Sequence, residues 1–287
     1  MLQKMRADQK ERVLVSKQTA TDRALHAVLE VNMTTTTSSP SEQESLALPA
    51  GGPFDAQLWL NYFERNKDVR SMIELPQRII LPEALSTPLL RSLQRFQIGE
   101  TGEGKHLKKF ARRLGSAEYY QCVDLFIKEE QGHGQILAEA ILALNGTLLQ
   151  WHWSDLCFIV LRRLLGLKTE LFIILIAEII GKCFYRCVSD KITNQSLSNA
   201  FAIIVCDEIA HLRFHSEFLG RQLASAPWYL KYFVHYAWSM IFYTACFVFV
   251  LDHRQTLQAL EVSTPDFIAD CSREFQRSSR CALGVSY

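Results

Sequence analysis

A chain of 287 residues with 48% hydrophobic and 21% charged side chains can bury a substantial core, which excludes a protein disordered throughout. Thirty-one Lys and Arg against thirty Asp and Glu leave a formal net charge of +1, so no global field draws the chain to nucleic acid, and no nucleic-acid-binding motif accompanies it. The eight cysteines form no C-x-x-C pair and fall mostly in apolar helical segments, the pattern of reduced, buried thiols. The mixed-charge first thirty residues lack the apolar stretch of a secretory signal, and the expected location is cytoplasmic.

Residues 1–55 include a Thr/Ser run at 34–39 followed by Pro40, Pro49, Gly51, Gly52 and Pro53, a composition that buries little surface and reads as a disordered leader. Residues 56–86 form an N-terminal unit: an amphipathic helix to about 75, then a connection punctuated by Pro76 and Pro82. A first long helix is expected to start with Thr87 as N-cap and Pro88 at its first position and to end at Gly115. Its stripe, spaced alternately by four and three, includes Leu89, Leu93, Phe96, Leu107, Phe110 and Leu114, but Glu100 and Glu103 sit where apolar residues belong.

A second long helix, capped by Ser116 and ended by Asn145-Gly146, carries Glu130 and His133 on its core stripe. After a short helix at 154–165, a third long helix at about 169–189 is apolar nearly all round, with Glu178 the only acid in its middle. The fourth, roughly 196–223, places Phe201, Ile204, Glu208, His211, His215 and Phe218 on one stripe. These four occupy 87–225. The remainder, 226–287, holds a hydrophobic helix from Pro227 to about Leu260 and a short terminal helix with Thr264 as N-cap. Within the hydrophobic helix, 232–251 has no acid, Lys or Arg and is long enough to cross a bilayer. Its polar and polar-tipped residues, His235, Tyr236, Ser239, Tyr243 and Thr244, favour a buried helix, a homodimer seam or a membrane-surface contact over a true span.

Two Glu-x-x-His pairs, Glu130/His133 and Glu208/His211, each project from one helical face. Either alone arises by chance in roughly half of chains of this composition; the pattern around them does not. Glu100 precedes Glu130, and Glu178 precedes Glu208, by thirty residues each, so the chain reads as two helical hairpins of one design, each bringing a lone Glu level with a Glu-x-x-His. Buried carboxylates require protons or cations, and four carboxylates balance two divalent ions while neutral imidazoles add no charge. An oxygen-rich donor set with one nitrogen per metal suits iron or manganese rather than structural zinc. Glu103 competes with Glu100 for the helix-one ligand position. Asp207 and Glu129, each adjacent to a ligand Glu, could accept the N–H of the opposite hairpin's imidazole. Tyr185 and His215, two turns and one turn from ligand positions, either approach the site or pack in the core.

These residues resemble the ferritin-like di-iron carboxylate superfamily. DEIAH at 207–211 is similar to the D-E-x-x-H of ribonucleotide reductase small subunits, acyl-carrier-protein desaturases and aldehyde-deformylating oxygenases. EEQGHG at 129–134 resembles the corresponding desaturase helix, and GETGEG at 99–104 the G-E-S start of rubrerythrins. Bacterial proteins known only as carrying a ferritin-like domain, with E-x-x-E-G-x-H-L, A-E-I-I and D-E-x-x-H-x-R-F together, are also similar. The resemblance spans about 87–223. It implies an all-α fold: a ferritin-like four-helix bundle with an N-terminal helix and two extra C-terminal helices. It further implies two iron ions, or a manganese–iron pair, held by Glu100 or Glu103, Glu130, His133, Glu178, Glu208 and His211, which activate dioxygen to oxidise a small apolar or acyl substrate with electrons from an external donor. Position 137 is Leu where a reductase subunit carries its radical Tyr, so radical storage is not expected. Two other readings stand beside the oxidase: iron handling without an organic substrate, and a membrane-associated interaction protein whose metal is structural.

Overall fold

The computed structural model describes residues 48–49, 54–67, 74–150 and 167–284, all within one unit, Leu46–Tyr287. The architecture is all-helical, with no strand among the described residues. Most of the expected leader and the expected short helix at 154–165 lie outside them. In chain order the helices are α1 (Ala56–Asn66), α2 (Glu83–Glu100), α3 (Lys105–Arg113), α4 (Ala117–Ala143), α5 (Leu167–Lys191), α6 (Gln195–Gln222), α7 (Trp228–Asp252), α8 (Arg254–Ala259) and α9 (Thr264–Leu283).

Two long-helix pairs make the centre. Helices α2 and α4 run antiparallel: Glu100 and Thr101 lie against Gly134, whereas Leu90, a few turns back along α2, lies against Gly146 just past α4. The approach at Gly134 is close enough that a Cβ there would meet Thr101 Cγ2 at 3.3 Å and Glu100 Cβ at 3.5 Å, so this glycine lets α2 bring a carboxylate in beside α4. Helices α5 and α6 are antiparallel through a tight turn clamped by Ser189 and Ser198, whose hydroxyls each donate to the other's backbone carbonyl (3.0 and 2.8 Å). Higher up that pair, Tyr185 stacks on Phe201. Because α5 is enclosed by α6, α7 and α9, its aliphatic side chains are buried on nearly every side, and each contributes about 1.5–3 kcal/mol.

The expected cap of α4 holds, and α6 starts at a cap of the same kind. Ser116 Oγ accepts from Tyr119 N (3.2 Å), and Asn194 Oδ1 accepts from Leu197 N (3.1 Å), so both helices begin at side-chain caps. Asn145 takes a left-handed φ of 62° and stops α4.

The first long helix differs from expectation at both ends. It starts at Glu83, five residues earlier, with Pro88 inside it, and it stops at Glu100. The stretch Gly99-Glu100-Thr101-Gly102-Glu103-Gly104 carries three glycines, each costing a helix interior about 1 kcal/mol. Thr101 Oγ1 turns back to Ile98 O (2.8 Å), and Gly104 takes φ 58° before α3 restarts. A Cβ at Gly104 would collide with Ile127, so the break is locked to α4.

The hydrophobic C-terminal helix likewise breaks at His253 rather than running to 260. Arg95 donates to Asp252 O (2.9 Å) and pairs with Asp252 Oδ2 (3.0 Å), capping the end of α7 from α2. His253 Nδ1 and Thr256 Oγ1 both reach Ser92 Oγ (2.8 and 2.6 Å), tying α8 to the same helix. The terminal helix is not short: α9 runs for 20 residues, with Ser263, not Thr264, as N-cap. Its buried stripe, Phe267, Cys271, Glu274, Phe275, Ser278, Ser279, Ala282 and Leu283, keeps the helical spacing, but Glu, Ser, Cys and Ala fill most of it, which conceals it from a search for large apolar residues. Phe54, inside the expected leader, is buried against Tyr119, Phe214 and Phe218.

Candidate metal centre

The core of the two helix pairs is interrupted at one level by carboxylates and imidazoles. Two overlapping groups are present: Glu130, Glu178, Glu208 and His211, and Glu100, Glu130 and His133. Within each group, one potential ligand atom per residue lies within 4.8 Å of the others. Glu130 belongs to both. It sits on α4 with its Oε1 3.0 Å from His211 Nδ1 and 3.5 Å from His133 Nδ1. Glu208 on α6 also touches both imidazoles, at 3.4 Å from His133 Nδ1 and 3.8 Å from His211 Nδ1. Glu178, the lone acid of α5, comes within 3.5 Å of His211 Nδ1.

The far side of each imidazole is held across the pairs. His133 Nε2, on α4, lies 3.0 Å from Asp207 Oδ2 on α6, and His211 Nε2, on α6, lies 2.9 Å from Glu129 Oε2 on α4. A carboxylate only accepts, so Nε2 carries a proton in each ring and Nδ1 faces inward, where its lone pair is open to a cation once the ring is neutral. Both Nδ1 atoms, together with Glu130 Oε1, Glu178 Oε2 and Glu208 Oε2, are buried and make no hydrogen bond. Five buried polar atoms converging without hydrogen bonds would be costly in a closed core, but they are the donor set a metal ion needs. The residues therefore fit a buried metal site.

Glu103 is not brought to this cluster. The break after Glu100 swings it to the surface, where it pairs with Lys105, and His106 is exposed beyond it. Glu100 is the helix-one acid that faces the cluster, and Tyr185 Oη donates to its Oε1 at 2.6 Å. His215 lies one turn from His211, fully buried, edge-on to Phe126, with neither ring nitrogen hydrogen-bonded and its pKa pushed down to about 3 by burial. It is in neither ligand group.

Sequence reasoning missed the contribution of α1. Trp59, Tyr62, Phe63 and Asn66, spaced i, i+3, i+4 and i+7, bury one face over α4 and α6. Phe63 stands 6.4 Å from the His211 ring, and burial with the nearby charges of Asp207 and Glu129 pushes the Tyr62 hydroxyl up. The stripe was legible as a helix; its target was not.

Electrostatically the cluster is balanced by protons when metal-free. Burial, reinforced by the charges of Glu130 and Glu208, holds Glu100 and Glu178 well above the usual carboxylate range. Burial pushes the same way at Glu130 and Glu208. The facing imidazoles of His133 and His211 overcome it at Glu130; at Glu208 the adjoining Glu178 carboxyl does so together with them, and both end low. The two imidazoles, despite burial, are raised well above their ordinary value by these carboxyls and by Asp207 and Glu129. Four groups thus bind protons more tightly folded than unfolded. The stability they contribute is full below their unfolded pKa values and is lost as pH rises through the folded ones. Thermal unfolding of chelator-treated protein from about pH 5.5 to about pH 8.5 should show the melting temperature falling as pH rises. A divalent cation displaces those protons, so its addition should release protons and raise the melting temperature most at the alkaline end.

Compared with family models, with curated proteins and with solved structures, the chain matches none, so the geometry of the buried cluster is what speaks for its chemistry.

Proposed function

We propose that the protein is a ferritin-like, dinuclear metal carboxylate oxidase or oxygenase that acts on a small apolar or acyl substrate. The observation that carries this reading is the pair of Glu-x-x-His motifs crossed by their own neighbouring acids: His133 to Asp207 and His211 to Glu129. A lone Glu from α2 and another from α5 complete a set in which four helices each supply one carboxylate, the donor arrangement of di-iron bundles. Glu100 and His133 would hold one ion, Glu178 and His211 the other, with Glu130 and Glu208 between them. Iron, or manganese with iron, matches a set of carboxylates with one imidazole per ion, and such a pair, when bound, supplies the redox chemistry that reduces dioxygen with electrons from an external donor.

The chain's own residues do the rest. Asp207 and Glu129 fix both imidazoles in the tautomer that presents Nδ1. Tyr185 donates from Oη to Glu100 Oε1 at 2.6 Å, which fixes the orientation of that carboxyl and holds a proton beside it. Phe63 and Phe126 pack against His211, and the apolar α5 lies on the other side, excluding water from the cluster and leaving an apolar surround for a substrate.

The test is anaerobic ferrous loading followed by exposure to oxygen. About two irons per chain, with oxygen consumed and a transient visible absorption, are expected in the wild type, and Glu208→Ala should lose both metal and oxygen uptake. Glu208→Ala protein that keeps its iron and its oxygen consumption would sink the proposal. Mineral accumulation well beyond two irons per chain would favour iron handling over an organic substrate.

A further inference from the structure

Among the described residues, helix α7 carries the longest run of exposed large apolar side chains. Eleven large apolar or aromatic side chains between Trp228 and Leu251 are exposed, among them Phe233 at 68%, Met240 at 56% and Phe247 at 61%. Its charged residues, Lys231 and Asp252, stand near its ends. Eleven side chains of this size, about half exposed, amount to a patch on the order of 1,000 Å². A monomer's largest apolar patch is typically about 300–600 Å², whereas a stable protein interface covers about 800 Å² on each partner.

The stripe also has the spacing of a helix–helix seam. Tyr229, Phe233, Tyr236, Met240, Tyr243 and Phe247 follow one another at steps of four and three, the 3.5-residue repeat of a helix–helix seam. Exposed large side chains lie to either side of Met240, Phe233 and Phe247 seven residues away, Tyr232 and Val248 eight, Tyr229 and Leu251 eleven, with Tyr236 and Tyr243 between them. A two-fold axis through Met240 would set an antiparallel copy of α7 against this one with large apolar or aromatic side chains along the whole length of both. An isologous interface lays a single patch on its own copy, so one exposed face suffices for both partners.

The chemistry favours a protein partner over lipid. Tyr, Trp, Phe and Met without charges is the composition of a protein-interface core, and no basic cluster flanks the stripe as binding to an anionic membrane surface requires. Spanning a bilayer would tear α7 from the fold, since Trp238 Nε1 donates to Phe172 O (3.0 Å) and Phe242 stacks on Phe275 at 4.3 Å.

We infer that the exposed face of α7 is the interface of a homodimer, with two copies of α7 packed antiparallel about Met240. This goes beyond the proposed oxidase activity and does not depend on it. Light scattering on the full chain after size exclusion should give twice the monomer mass. Phe233→Glu/Phe247→Glu should shift it to monomer at the same concentration, a weakening of at least about 100-fold, with the helical circular dichroism kept. Met240→Cys, which alters only an exposed position, should be joined to its copy by a short bis-maleimide well above the background from Cys281, and this second variant decides the matter if the Glu variant misfolds. A monomeric wild type, no Met240→Cys cross-link, or wild-type chain that floats with phosphatidylcholine or anionic vesicles as a monomer would each overturn the inference.

Discussion

Glu130→Gln protein is expected to bind no divalent metal tightly, whereas Glu100→Gln and Glu178→Gln should each retain one ion per chain. The difference follows from connectivity. Glu130 is in both ligand groups, with its Oε1 facing both inward Nδ1 atoms, while Glu100 is in one group and Glu178 in the other. Glutamine keeps the volume and removes the charge, so the folded core should tolerate it while the cation loses its shared carboxylate. Removing an outer partner of a ligand already costs about 10–100-fold in metal affinity, and loss of the shared ligand should exceed that. A second readout needs no activity: saturating ferrous or manganous ion stabilises the folded chain by about 2.7 kcal/mol at 100 times its dissociation constant, and Glu130→Gln should abolish the corresponding rise in melting temperature. Full metal content in Glu130→Gln would remove this residue from the site and with it the dinuclear reading.

The largest stability effect is expected where α9 docks on α5, one turn along α5 from Glu178. Lys182 Nζ and Glu274 Oε2 meet at 2.7 Å with side chains 4% and 9% exposed. Burial alone would drive Lys182 toward its neutral form, and Glu274 works against that. Deleting one partner of a buried pair costs about 3–5 kcal/mol because the other charge is stranded. Glu274→Ala strands Lys182 and should lower the melting temperature by on the order of 10 °C. Lys182→Met should cost less, since Arg277 remains 3.0 Å from Glu274 at the solvent edge. The apolar double replacement Lys182→Met/Glu274→Leu should return close to the wild type. Equal losses in both single variants, measured by thermal or denaturant unfolding, would show that Arg277 does not compensate.

The contrast between these two sites reflects how much each declares itself in the chain. A ligand helix announces its chemistry because a Glu or His on an otherwise apolar stripe violates the pattern, and two violations at Glu-x-x-His spacing, matched thirty residues away, leave few alternatives. Glu130, His133, Glu178, Glu208 and His211 were legible on that ground, and the structure brings all five together. Asp207 and Glu129 were legible only conditionally, since their role requires α4 and α6 to cross with each imidazole facing the other's neighbour. The Lys182–Glu274 pair was not legible at all: a lysine and a glutamate 92 residues apart carry no mutual signature.

The sequence by itself determined the helical class, the cap at Ser116, and Glu130, His133, Glu178, Glu208 and His211 as polar residues on core stripes, because periodicity, capping and charge pattern act within a few residues of chain. Only the tertiary structure decided between Glu100 and Glu103. Both occupy the same stripe of a continuous helix, and the choice depends on whether that helix survives three glycines. Gly104, pinned against Ile127 of α4, ends it and leaves Glu103 on the surface with Lys105. The cover of α1 over the imidazoles, the stop of α7 at Arg95 and the full length of α9 were settled the same way. In each case the energy comes from contacts between elements distant in the chain, which no local pattern records.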